Sequence, residues 1–138
     1  MSVITFDFDD TLTQPVWNEK YGLFEPSEAP NLESIAKLKE FHRQGKDVKI
    51  VTTRWRDEEV LTFVREYRLP ISSVHCTQGE LKAIKLKELN SQLHFDDNEA
   101  EALANLRLKI PTVVVSFSFD ASSNRAVCHF KAYESESS

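Results

Sequence analysis

The sequence is poor in cysteine, in basic charge and in long apolar runs. Cys76 and Cys128 are its only cysteines in 138 residues. Their spacing is not that of metal ligands, so they read as reduced thiols in the core of a cytoplasmic protein. Seventeen Lys and Arg face 22 Asp and Glu, for a net charge of −5. That balance argues against a protein that grips nucleic acid mainly by neutralising phosphates, and against docking on an anionic membrane. No apolar run is long enough to span a bilayer, and the first one is too short for a signal peptide and carries Asp7. No internal repeat is visible. What remains is ordinary globular material: 41% hydrophobic residues, enough for one core, in a length that suits one domain. That domain is expected over residues 1–132. The polar, acidic stretch 133–138, "YESESS", is expected to be disordered.

Apolar and polar segments alternate along the chain. Residues 3–8 read as a buried strand. Residues 12–30 hold three prolines, a glycine and several aromatics, which predicts a loop with room for a small hairpin. Asn31 caps a helix that presents Leu32, Ile35, Leu38 and Phe41 on one face and stops at Gly45. "VKIV", residues 48–51, is a second strand. Asp57 caps a helix with Val60, Phe63, Val64 and Tyr67 inward, ended by Pro70. A short strand follows near Val74, then a helix over 80–89, a strand over 93–95, a helix over 98–108 and the strand "TVVVSF". The segment "RAVCHFKAY", residues 125–133, fits either an extra edge strand or a short helix. Strands alternating with helices predict an α/β fold, a three-layer Rossmann-like parallel sheet with both faces covered.

In such sheets the functional site lies beyond the carboxyl ends of the strands. Asp7, Asp9 and Asp10 fall at the end of the first strand, in "FDFDDTLT". Thr52, Thr53 and Arg54 fall at the end of the second. Asp96 and Asp97 fall at the end of the fourth. Carboxylates crowded in one crevice are costly when all are ionised and unpaired. A hard divalent cation removes that cost, and Mg²⁺ in particular combines one or two carboxylates with waters and a substrate phosphate. An EF-hand is a poor alternative. Leu12 stands where its glycine belongs, Asn18 where its last glutamate belongs, and the stretch follows a strand.

"DFDDT" after an N-terminal strand resembles the first motif, D-x-D-x-T, of the haloacid dehalogenase superfamily. "IVTTR" resembles its second motif and "HFDDN" its paired-aspartate fourth. In "LKAIKLKEL", Lys82 best matches the third-motif lysine, with Lys85 the runner-up and Lys87 also available. The resemblance covers residues 1–116. It implies a core of about five parallel strands in the order 5-4-1-2-3. It also implies that Asp7 is the nucleophile of a phosphatase, that Asp9 is its acid/base and lends a backbone carbonyl to the metal, and that Thr52 and Lys82 hold the phosphoryl oxygens. Asp96 and Asp97 complete the Mg²⁺ site. Asp9 is the feature that points to phosphate esters, because the dehalogenases of the superfamily lack it. Neither the gap from Leu12 to Pro30 nor the one from Pro70 to Gly79 can hold a folded cap domain, so the site is expected to be open.

Asp10, Thr53, Arg54 and Trp17 are candidate substrate contacts. Arg54 can fork onto a second phosphate or a carboxylate. Trp17, Tyr21 and Phe24, with Trp55 opposite, can stack a flat group or simply pack the loop on the body. The lysines of 82–87 have a solvated helix face as their plain alternative, and His94 reads as packing or support for the site. The expected partner is a small phosphorylated substrate such as a nucleotide. A phosphorylated nucleic-acid end is the alternative, by similarity to the 3′-phosphatase part of polynucleotide kinase-phosphatases. A non-catalytic binding or regulatory domain of the same fold is the other class. A monomer or homodimer is expected.

Overall fold

The structure, a computed structural model, describes residues 1–134. Five strands run parallel: β1 (Val3–Phe6), β4 (Asp47–Thr52), β5 (Ser73–Cys76), β6 (Ser91–Asp96) and β7 (Thr112–Asp120). The antiparallel β8 (Arg125–Tyr133) completes a six-stranded sheet of order β5-β4-β1-β6-β7-β8. Counted over the parallel strands alone, this is the expected order. Residues 125–133, for which the sequence allows strand or helix, form the edge strand. Asp120 makes the return possible, since its carboxylate accepts bonds from the Ser122 N–H and from the Ser122 and Ser123 hydroxyls. β8 includes Tyr133, the first residue of the expected disordered end. Residues 135–138 lie outside the described ones.

The helices are α1 (Leu32–Arg43), α2 (Glu58–Glu66), α3 (Ala83–Glu88) and α4 (Glu99–Arg107). Side chains alternate across a strand, and two apolar clusters result. Ile4, Phe6, Val48, Ile50, Phe95 and Val115 meet Ile35 and Leu38 of α1 and Val60 and Phe63 of α2. Val51 meets Leu86 of α3 and Ile110. The second face is the more polar one. It buries Thr5, His94, Asp96 and Thr112 under α3 and α4, together with Lys82, Glu101 and Asn105.

Local signals set several boundaries. The Asn31 side chain accepts from the Ser34 N–H at the start of α1, and Asn98 accepts from Ala100 and Glu101 at the start of α4. Gly45 ends α1 at φ +83, beside a bond from Lys46 N–H back to the Phe41 carbonyl. Two expectations are corrected. Leu32 is 69% exposed, because the buried face of α1 is Ser34, Ile35 and Leu38. Asp57 precedes α2 without a side-chain capping bond.

The segment 12–30 is a two-stranded antiparallel flap, β2 (Thr13–Asn18) and β3 (Leu23–Pro30). No separate cap domain is present among the described residues. Trp17 stacks on Phe119 of β7 with ring centroids 4.5 Å apart and meets Phe24 edge-on at 4.9 Å. Of the two roles open to these aromatics, packing the loop on the body is the one seen for Trp17.

Candidate active site

The Asp7 N–H donates to the Phe95 carbonyl at 2.8 Å, which continues the β1–β6 ladder one residue past β1. That bond fixes the carboxylate in the crevice, 4% exposed. The chain then turns sharply. The N–H groups of Thr11, Leu12 and Thr13 all point at the Phe8 carbonyl, and Asp10 takes a left-handed φ of 57°. The turn aims the Thr11 hydroxyl at Asp7, where it donates to Oδ2 at 3.1 Å.

Asp96 ends β6 with no exposed surface. Its Oδ2 accepts from Lys82 Nζ at 2.6 Å and meets His94 Nε2 at 2.8 Å. Its Oδ1 accepts from the Asn98 N–H at 3.1 Å. Lys82 is 2% exposed, and its Nζ also lies 2.9 Å from Asp7 Oδ1. The lysine is positioned from behind, because its own N–H donates to the buried Glu101 carboxylate at 3.1 Å. Lys85 instead pairs with Glu88 on the surface. Of the candidate lysines, Lys82 is the one placed between two aspartates.

The carboxylates of Asp7, Asp96 and Asp97 each bring an oxygen within 4.8 Å of the others. With all three ionised, the carboxylates against one ammonium leave two negative charges. An all-oxygen donor set with that residual charge fits a hard divalent cation. The metal-free electrostatics show the same strain. Desolvation, then the charge of Asp96, raises the Asp7 pKa. Asp97 is an exposed residue, but desolvation of its carboxyl group, then the charge of Asp7, pushes it up to about 9. Asp96 is opposed by its own burial, yet the His94 bond and the Lys82 charge hold it well below the usual carboxylate range. Burial opposes the Lys82 charge too, and Asp7 and Asp96 outweigh it, raising the ammonium pKa.

These shifts carry a pH dependence. Asp7 and Asp97 have raised folded-state values, so the folded metal-free protein keeps protons that the unfolded chain releases above the ordinary carboxylate range. Stability then declines as pH rises toward about 9. Asp96 acts oppositely, and its contribution is lost only as pH falls below about 4. In chelator, the Tm is expected to fall between about pH 5 and about pH 9, and Asp97→Asn is expected to flatten the slope. Thermal melts across that range check this, and a pH-independent Tm would contradict it.

The other candidates surround this cluster. Thr52, fully buried, ends β4 beside β1, and its Oγ1 accepts from the Arg54 N–H at 3.2 Å. Its hydroxyl hydrogen remains free to donate. Thr53 is exposed, with its carbonyl accepting from Gly79. Asp10 and Asp97 line a hollow of about 290 Å³ with Phe24, Pro26 and Phe117. Asp9 stands apart: its carboxylate is outside the cluster and bonded to Arg54. A larger hollow of about 540 Å³ lies beside α2, between Phe8, Phe63, Tyr67 and the acids Glu28, Glu58, Glu59 and Glu66. It contains none of the three clustered aspartates. Two contributors, Thr11 and Glu101, have no role among the expectations drawn from the sequence. Thr11 is visible as the last residue of "DFDDT", whereas nothing local signals Glu101.

Fold and site together define an α/β protein whose acidic pocket, neutralised in part by one buried lysine, sits at the carboxyl ends of a parallel sheet. Among solved structures, the chain is similar to a 3-deoxy-D-manno-octulosonate 8-phosphate phosphatase from Moraxella catarrhalis, crystallised with magnesium, phosphate and a KDO molecule. The similarity has a TM-score of 0.45 and 20% identity, over 79% of this chain. The chain spans 62% of the length of that protein. No family model matches the chain, and no curated protein matches it.

Proposed function

We propose that the protein is a Mg²⁺-dependent phosphomonoester hydrolase that works through an aspartyl-phosphate on Asp7. The observation that carries this reading is Lys82 Nζ, held 2.9 Å from Asp7 and 2.6 Å from Asp96 beside a third carboxylate. Phosphoryl transfer passes through a loose, charge-rich transition state, so it needs cationic positioning more than covalent chemistry from other groups. When bound by Asp7, Asp96, Asp97 and the Asp9 carbonyl, Mg²⁺ would offset phosphate charge and act as a Lewis acid.

The chain's own residues divide the work as follows. A carboxylate oxygen of Asp7 attacks phosphorus as the bond to the ester oxygen breaks, and Lys82 and the Thr52 hydroxyl stabilise the equatorial oxygens. Asp9, after taking up a proton from solvent, gives it to the leaving oxygen. It then takes one from the water that attacks the aspartyl-phosphate, which frees inorganic phosphate and restores Asp7.

A small phosphomonoester, with nucleotides among the candidates, is favoured over a nucleic-acid end. The glutamates Glu28, Glu58, Glu59 and Glu66 crowd the hollow beside the site, and they would repel a polyanionic strand. A purely regulatory role is disfavoured because Asp7, Asp9, Asp96 and Asp97 are all retained.

The test is phosphate release with Mg²⁺ over p-nitrophenyl phosphate, nucleoside 5′- and 3′-monophosphates, sugar phosphates and 3′-phosphorylated oligonucleotides. Release from the small esters is expected, with activity abolished by excess chelator and reduced when Ca²⁺ replaces Mg²⁺, because its looser coordination misplaces the phosphate. Activity that survives chelation would overturn the metal dependence. Silence across the whole panel would overturn the hydrolase.

A further inference from the structure

Arg54 holds Asp9 in a fork. Its Nε donates to Asp9 Oδ2 at 2.9 Å and its Nη2 to Oδ1 at 2.8 Å. Its Nη1 reaches Glu59 at 2.6 Å, and the guanidinium lies 5.2 Å above the Phe8 ring. Glu59 and Phe8 flank the guanidinium, and Asp9 occupies its Nε–Nη2 edge. Both Asp9 oxygens are engaged, and neither belongs to the cluster around Asp7. Held this way, Asp9 is committed to Arg54 and stands outside the cluster that would hold the ester phosphate.

The fork is also exchangeable. The side chains of Arg54 and Asp9 are 30% and 52% exposed, and ion pairs open to water are weakly held. A guanidinium fork accepts any planar carboxylate or phosphate edge in the same geometry. An incoming anion would therefore compete with Asp9 for the same two N–H groups.

We propose that Arg54 determines specificity by this exchange: a second anionic group on the substrate takes the fork from Asp9 and so frees Asp9 to reach the leaving oxygen. This rests on the phosphatase reading above. It narrows the substrate class to phosphomonoesters that carry a carboxylate or second phosphate close to the ester. No covalent bond changes in the exchange; one ion pair replaces another, and Arg54 keeps an anionic partner throughout. An ester without the second anion has to break the Arg54–Asp9 fork with nothing to replace it, and turns over slowly.

Binding of non-hydrolysable probes tests the exchange without turnover. Phosphonoacetate and 3-phosphonopropionate, each a phosphonate with a carboxylate, are titrated with Mg²⁺ present against methylphosphonate. The better of the two is expected to bind the wild type about tenfold tighter than methylphosphonate. In Arg54→Gln that ratio is expected to fall to about one. In Asp9→Asn it is expected to rise about threefold or more above wild type, because the fork no longer has a competitor. A ratio unchanged in Arg54→Gln overturns the proposal. So does an Asp9→Asn protein that binds all three probes more tightly by the same factor, since that would be a simple charge effect.

Kinetics give the second arm. Phosphoglycolate, an ester with a carboxylate beside it, is compared with p-nitrophenyl phosphate, which has none. The ratio of their kcat/KM values is expected to drop about tenfold in Arg54→Gln. Equal losses on both esters would overturn the release of Asp9. The two readings fail separately: no phosphate release from any ester defeats the phosphatase, whereas an unaltered probe ratio defeats the fork exchange.

Discussion

Asp7→Asn is expected to lower phosphate release by roughly 10³-fold or more, at least about 4 kcal/mol in the barrier, while the fold survives. The amide has the shape of the carboxyl group but no anionic oxygen with which to attack phosphorus. The backbone bond from Asp7 N–H to Phe95 does not depend on the side chain. The Thr11 hydroxyl keeps an acceptor if the amide carbonyl oxygen faces it. Desolvation and Asp96 already raise the Asp7 pKa, so a neutral group at this position relieves part of the repulsion. Against that, Lys82 loses one of two anionic partners and retains Asp96. The two effects oppose each other, and the Tm is expected to stay within a few degrees of wild type. Single-turnover assays beside thermal melts check both halves. A variant that keeps more than a few per cent of wild-type turnover would remove Asp7 as nucleophile.

Lys82→Met should act on stability as strongly as on chemistry. The ammonium is almost wholly buried between Asp7 and Asp96. Removing it leaves buried carboxylates unpaired, a change that typically destabilises by about 3–5 kcal/mol. In a domain of this size that is roughly 10 °C or more in Tm. The direction agrees with the raised Lys82 pKa: the stabilisation is present at neutral pH and is lost only as pH climbs through that raised value. Mg²⁺ is expected to restore part of the loss, since a cation among the same oxygens replaces the missing charge. Adding Asp7→Asn to Lys82→Met should also recover stability, because one of the unpaired anions is gone. Lys85→Met is the control. Among the described residues Lys85 pairs with exposed Glu88, and its loss should fall within about 0.5 kcal/mol. A Lys82→Met protein as stable as wild type in chelator would show that the buried pair does not hold the pocket together.

His94 and Thr5 illustrate how the second face of the sheet supports this pocket. His94 Nδ1 lies 2.8 Å from the Thr5 hydroxyl, which in turn lies 2.7 Å from that of Ser91. The imidazole is thereby held with Nε2 against Asp96. A buried polar chain of this kind fixes the carboxylate's orientation, leaving Oδ1 as its less crowded oxygen.

Much of the architecture is written locally. Apolar runs at residues 3–6, 48–51 and 112–117 specify strands, Asn31 and Asn98 specify helix starts, and Gly45 specifies an end, because each acts through its own neighbours' backbone groups. The gathering of Asp7, Thr52 and Asp96 at one edge also follows, since parallel strands joined by helices must all end on the same side. Local pattern ranks Lys82 ahead of Lys85 and Lys87 but leaves a solvated helix face open to each of them. The burial of Lys82 was decided by the packing of α3 and α4, where Glu101 holds the Lys82 backbone and the ammonium lies between Asp7 and Asp96. Local pattern also leaves open the state of 125–133, whose strand form depends on the nine-residue pairing with β7. The Arg54–Asp9 fork joins groups 45 residues apart. It exists only because β1 and β4 pair in the register that sets Phe6 beside Ile50 and carries both strand ends into the same crevice. The acidic residues that gather at the sheet edge were legible in the sequence; which oxygen meets which nitrogen was set by sheet register and helix packing, which no short stretch of chain encodes.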